Sequence, residues 1–281
     1  MSAQLPVLYD SQLSASDLEA LRAAVAALER QTFTGRISRM AGRRMGLVAR
    51  PLPPQLQEMA GLATQKALAA ALRVALSSLE GAPQGDTTRL HRRLAALAGG
   101  FGGAVGLASL PVELPLSTTI MLRSIADIAR NEGENLRNPA TGLACLEVFA
   151  LGGQAGDNIL EGGYLAIRGL LAKSVSDAAR YVAIRGVSQE SAPAMVRLVS
   201  QLSTRFGVVV SQKLAVQAVP IIGAVSGAAI NLAFTEHFQT LARGHFAVRR
   251  LERVYNPVMV RSHYARIARE EGYWDAPPSA A

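Results

Sequence analysis

The sequence predicts an all-α protein: a multi-helix bundle whose two uncharged, Gly/Ala-rich central helices, about 94–112 and 214–235, are wrapped by amphipathic ones. Composition is the first reason. Of 281 residues 49% are hydrophobic but only 5% aromatic, so the apolar content is mainly Ala, Leu, Val and Gly, which suits closely packed helices better than a β-sandwich. Periodicity is the second: apolar residues recur at helical spacing along most of the chain. The third is that no run sustains the period-two alternation of a strand, so almost no sheet is expected.

Taken in order, Ser16 with Glu19 reads as a capping box ahead of an apolar stripe at Leu18, Leu21, Val25 and Leu28. A helix over 33–49 stops at the RPLPP turn. Residues 55–80 form a long Ala/Leu-rich helix that ends at Gly81, and GAPQGDTT is the clearest linker. Further helices are expected near 88–109, 115–131, 139–153, 157–185, 192–213, 218–254 and 257–271. Their breaks are placed at Pro111 and Pro115, at NEGENLRNP, at GGQAGD, at 186–191 and at Asn256-Pro257. The expected organisation is an N-terminal helical region over 1–85, a helical core over 86–272 and a frayed tail over 273–281.

Nineteen residues between Arg93 and Glu113 carry no charge, nor do twenty-two between Lys213 and Glu236. Both runs reach spanning length, but ten of the first nineteen are Gly or Ala. The seven strongly apolar residues supply only about −3.5 kcal/mol of insertion energy before Pro111, Ser109 and the glycines subtract from it. Glycines four apart (Gly99 and Gly103, Gly102 and Gly106, Gly223 and Gly227) instead flatten a helix face for close packing. A buried central pair is the expectation; bilayer insertion, and sheathing in solution with later presentation to a bilayer, are the alternatives.

Net charge is +8, and only Lys66, Lys173 and Lys213 are lysines. A basic balance points to anionic partners. From Arg30 to Gln57 there are six arginines and no acid. On a helical wheel Phe33, Ile37, Met40, Leu47 and Val48 share a face beside Arg36, Arg39, Arg43 and Arg50, with Arg44 inside the apolar stripe. Such a helix suits an anionic membrane interface. Nucleic acid is not expected, because stacking aromatics and reading-helix signatures are absent around these arginines.

Catalytic signatures are missing. No lysine follows a glycine, as a Walker loop requires, and the third glycine of a dinucleotide fingerprint is Val105. GAVSG at 223–227 is out of register with a nucleophile elbow. Cys145 stands alone, and His237 and His245 are eight apart, about 12 Å along a helix, too far to share an ion. No metal and no cofactor are expected. Glu113 is read as preceding the helix that Pro115 opens, where a carboxylate favours the helix dipole, and Arg123 with Asp127 reads as an i,i+4 pair. If Glu113, Thr118, Thr119, Arg123, Asp127, Asn231, Glu236 and His237 face one cleft, they make a polar spot in an apolar pocket.

GGFGGAVGLASLPVELPLSTTIMLRSIADIARNEGE at 99–134 and SQKLAVQAVPIIGAVSGAAINLAFTEHFQTLARGHF at 211–246 resemble the bacterial EcsC family over roughly residues 90–255. They match its glycine-rich run, its LP-x-x-LP turn and its P-x-x-G-A-x-x-G-A-x-x-N helix. The resemblance implies a mostly helical protein associated with membranes or secretion, since the family is named for a gene beside an ABC exporter. It supplies no catalytic residues.

The resulting expectation is a non-enzymatic, membrane-associated helical protein that binds an anionic membrane surface or an apolar or lipid ligand, accessory to a transport or secretion system, with a membrane protein as a further partner. The first twenty residues carry neither a basic n-region nor an apolar h-region, so a cytoplasmic, inner-membrane-peripheral location is expected. An enzyme for an apolar or lipid substrate and a soluble scaffold without lipid contact are the alternatives.

Overall fold

The computed structural model describes residues 12–29, 53–77, 110–152, 163–185, 192–217 and 224–274. Among them are eight helices: α1 (Ala15–Glu29), α2 (Pro54–Ser77), α3 (Leu110–Asn131), α4 (Pro139–Leu151), α5 (Gly163–Arg185), α6 (Pro193–Gln217), α7 (Ala224–Val254) and α8 (Pro257–Glu270). The all-α bundle is as expected, and all eight helices contribute to one apolar core.

The centre is α4. Every residue from Thr141 to Leu151 is buried, and α4 packs against α2, α3, α5, α6 and α7. A helix apolar all round must be surrounded. Its sequence is not an uncharged run, because Glu147 interrupts an otherwise apolar stretch. Of the two runs expected at the centre, residues 94–109 lie outside the described residues. The second is divided between the end of α6 and the start of α7, with 218–223 outside; Leu214, Ile230, Ala233 and Phe234 from it are buried. The basic helix expected over 33–49 also lies outside, as do GAPQGDTT, 186–191 and residues 275–281.

Local chemistry sets the helix ends. Asn138 and Asn256 cap α4 and α8 by accepting from the N–H groups of Ala140 and Val258, each with a proline at the next position. Gly133, at φ +80°, closes α3: its N–H donates to the Arg130 carbonyl, and the Glu134 N–H donates to that of Ala129.

Two expected helix starts are corrected. The cap of α1 is Ser14, whose hydroxyl accepts from the Asp17 N–H at 3.1 Å, two residues before the Ser16–Glu19 box. Asp17 then sits where its carboxylate meets Arg250 and Tyr255, a tertiary contact that decides between two local caps. Helix α3 begins at Leu110 and runs through Pro115. Pro111 falls in the first turn, where no N–H is needed, so Pro115 forfeits one interior bond without ending the helix.

The helix directions follow from cross-contacts. Gln239 donates to Ser124 at 2.7 Å and Arg250 to Glu132 at 3.0 Å, so α3 and α7 run parallel. Ala75, near the end of α2, lies against Gly142 at the start of α4, so α2 shares that direction. The first turns of α2, α3 and α7 therefore stand at one end of the bundle, where α6 finishes.

A Cβ built on Gly142 would stand 2.6 Å from the Ala75 carbonyl oxygen, backbone that cannot swing aside, whereas one on exposed Gly61 meets nothing within 4 Å. Gly142→Ala should lose about 1–3 kcal/mol, and Gly61→Ala should gain about 0.4–1 kcal/mol, both read from urea unfolding. Equal effects of one sign would contradict the packing described.

Candidate functional site

The expected polar cluster is partly assembled, around a residue that the motif reading did not select. Lys213, near the end of α6, is 1% exposed. Its Nζ donates to Glu113 Oε1 at 3.1 Å and to Asn231 Oδ1 at 2.9 Å, and lies 5.0 Å from the centroid of the Phe234 ring. Burial pulls its pKa below 10.5, against the opposing pull of the Glu113 carboxylate. Glu113 thus stands in the first turn of α3 rather than before the helix, bonded across the bundle to α6. Lys213 is the last charge before the twenty-two uncharged residues. That position was the available signal, because a cation bordering a buried segment needs a partner.

The other candidates scatter. Thr118 is fully buried, and its hydroxyl has no hydrogen-bond partner among the described residues. Thr119 spends its hydroxyl on the Pro115 carbonyl. Arg123 is exposed; Asp127, 1% exposed, lies 3.4 Å from Arg130, not paired with Arg123 as expected. Salt bridging at i,i+3 serves as well as at i,i+4, and the buried face of α3 turns Arg123 outwards. Glu236 is half-buried; His237 is buried beside Gly152 at the end of α4. Below Lys213, Phe149, Phe206, Phe234 and Phe238 pack with ring centroids 5.0–6.0 Å apart, leaving an apolar floor.

A second polar network, not anticipated, joins α4, α5 and α7. The Tyr164 hydroxyl lies 3.0 Å from His245 Nδ1, and His245 Nε2 stands 4.0 Å from Glu147 Oε2, beyond direct hydrogen bonding. Burial holds the His245 pKa well below 6.5, helped by Arg168 and Arg249. Burial also raises Glu147 above 4.5, against those same arginines. The imidazole is therefore neutral. Around it, Arg168 holds Glu252 through two bonds at 3.2 and 3.0 Å, and Arg249 holds Glu134 at 2.8 Å. Glu29 accepts from the Tyr164 N–H at 3.1 Å and from the Tyr264 hydroxyl at 2.8 Å. Tyr164, His245 and Glu147 are each at most 5% exposed. This network fixes helices to one another and has the chemistry of a structural lock.

Two comparisons bear on membranes and metals. No helix among the described residues is long and apolar enough to cross a membrane, and no group of three or more His, Cys, Asp or Glu could hold a metal ion among them. The EcsC protein family model matches residues 15–251, most of the chain. It starts near the beginning of α1, well ahead of residue 90, where the motif resemblance began. No curated protein and no solved structure matches the chain.

Removing one partner of the buried pair should be costly. Lys213→Met is expected to destabilise by about 3–5 kcal/mol, and Lys213→Met with Glu113→Met to recover most of that, measured by chemical unfolding. A single variant as stable as the wild type would show that the pair is not closed in solution.

His245 gives a pH test. Its folded pKa lies below the unfolded 6.5, so its contribution is whole above pH 6.5 and is lost as pH falls below it. Glu147 has the opposite sign, its contribution being lost as pH rises above 4.5, and is common to both proteins compared. Between about pH 7.5 and about 5.5 the stability advantage of wild type over His245→Gln should shrink. Parallel stability–pH curves would rule out a buried neutral imidazole.

Proposed function

We propose that this chain, which belongs to the EcsC family, works without catalysis at an anionic membrane surface, to which it attaches peripherally by one end of its bundle. The observation that carries this is the exposure of large apolar side chains in the early turns of α2 and α3, which share that end. Val112 is 75% exposed and Leu116 54%, with Leu62 and Met59 also exposed. Clustered apolar exposure of this kind marks interaction surfaces.

Charge supports the same end. Helix N-termini carry partial positive charge that favours anions, and α2, α3 and α7 all begin there. In sequence, Arg36, Arg39, Arg43, Arg44 and Arg50 precede α2. The cluster read as an enzymatic pocket lends no support to catalysis, because Glu113 and Asn231 are bonded to Lys213. The inner face of a cytoplasmic membrane, and a membrane-protein partner there, are the location and association this reading takes.

Cosedimentation of the full chain with phosphatidylcholine vesicles, with and without phosphatidylglycerol, is the test. Binding should require the anionic lipid and weaken with salt. At about 1 kcal/mol per basic residue near the surface, an Arg36/Arg39/Arg43→Glu variant should bind about 100-fold more weakly or worse, and Val112→Asp with Leu116→Asp should also weaken it. Unchanged binding by both variants would remove the proposal.

A further inference from the structure

Helices α2 and α6 do not close fully on one another. Gln65, Lys66, Ala69 and Leu72 on α2 face Val196, Val199 and Ser200 on α6 across an open groove of about 530 Å³, within the range of small-ligand sites. The spacing explains the shape. Leu72 is buried and forms a floor, Ala69 is too small to fill the gap, and Val196, 55% exposed, stands at the mouth.

The polar groups of this groove are few, and one of them is charged. Lys66 is exposed and makes no ion pair among the described residues, whereas Lys173 meets Asp177 and Lys213 meets Glu113. Among the described residues no acid lines the groove; Gln65 and Ser200 add an amide and a hydroxyl that can donate. An apolar trough with one uncompensated ammonium at its wall is complementary to a molecule with one apolar chain and one negative head. Lysine offers one compact point charge, which the unit charge of one carboxylate balances without a bidentate fork.

We infer that this groove binds a single-chain fatty carboxylate, the chain lying along Ala69, Leu72, Val196 and Val199 and the carboxylate meeting Lys66 Nζ. The site is separate from the membrane-facing end, and either can fail without the other. Binding here withdraws a free amphiphile from water, which is a carrier or sensor activity.

The test is calorimetric titration of the full chain with dodecanoate below its micelle concentration, beside dodecanol and a lysophosphatidylglycerol of the same chain length. Saturable one-to-one binding of dodecanoate is expected. Lys66→Glu should weaken it by about 10-fold or more, in keeping with loss of a charge-assisted contact, with Lys66→Arg retaining most of it. Val196→Trp, at an exposed position that leaves the fold intact, should block the mouth and abolish binding. Dodecanol binding as tightly as dodecanoate, indifference to both Lys66→Glu and Val196→Trp, or binding of the lysophospholipid alone would each overturn the assignment.

Discussion

The structure depends on enclosing α4. Eleven consecutive buried residues on one short helix leave no face for water, so five other helices must close around it and their mutual angles follow. That enclosure has an electrostatic consequence, because the helix carries Glu147. An acid at the centre of a bundle is tolerable only if it gives up its charge or finds partners. Burial favours the protonated form, and the nearest helices bring His245, Arg168 and Arg249 towards it. Those arginines require anions in turn, which Glu252 and Glu134 supply. The polar network is thus a chain of compensations started by one residue on the central helix.

The two ends of the bundle are unlike. At the end where α3 stops, the NEGENLRNP turn offers Glu132 and Glu134 to Arg249, Arg250 and Arg253, and Arg250 also reaches Asp17 on α1. Single surface pairs contribute little, but here several share partners and Glu134 is half-buried, so they act as a network that fastens α1, α3 and α7. At the opposite end Met59, Leu62, Val112 and Leu116 are exposed, as are Gln55, Gln57 and Glu58 in the first turns of α2.

Helix existence was legible because the signals are local. Asn-Pro dipeptides at 138–139 and 256–257 mark caps, and apolar spacing marks faces, so the ends of α4 and α8 fall within about two residues of their expected positions. Pairing was not legible. Whether Ser14 or Ser16 caps α1 depends on Arg250 and Tyr255, more than two hundred residues away. Glu113 and Asn231 could be picked out as polar groups beside apolar runs, but their joining through Lys213 is a fact about three helices. Asp127 illustrates the limit: Arg123 and Arg130 are both within reach along α3, and only the burial of one face chooses Arg130.

The division of labour between the cations follows the geometry of their partners. Arg168 and Arg249 each grip a carboxylate with two nitrogens, a use that needs a planar fork. At position 213 the surroundings differ: one carboxylate oxygen, one amide oxygen and a ring face approach from three sides. A compact ammonium satisfies all three, with the ring contributing cation–π attraction in a desolvated setting. A guanidinium would have to displace the Phe234 ring from the aromatic cluster beneath it. At position 213, lysine therefore fits because a single point of charge is enclosed in an apolar place. Lys66 has a different setting, exposed at the wall of the groove beside Ala69 and Val199.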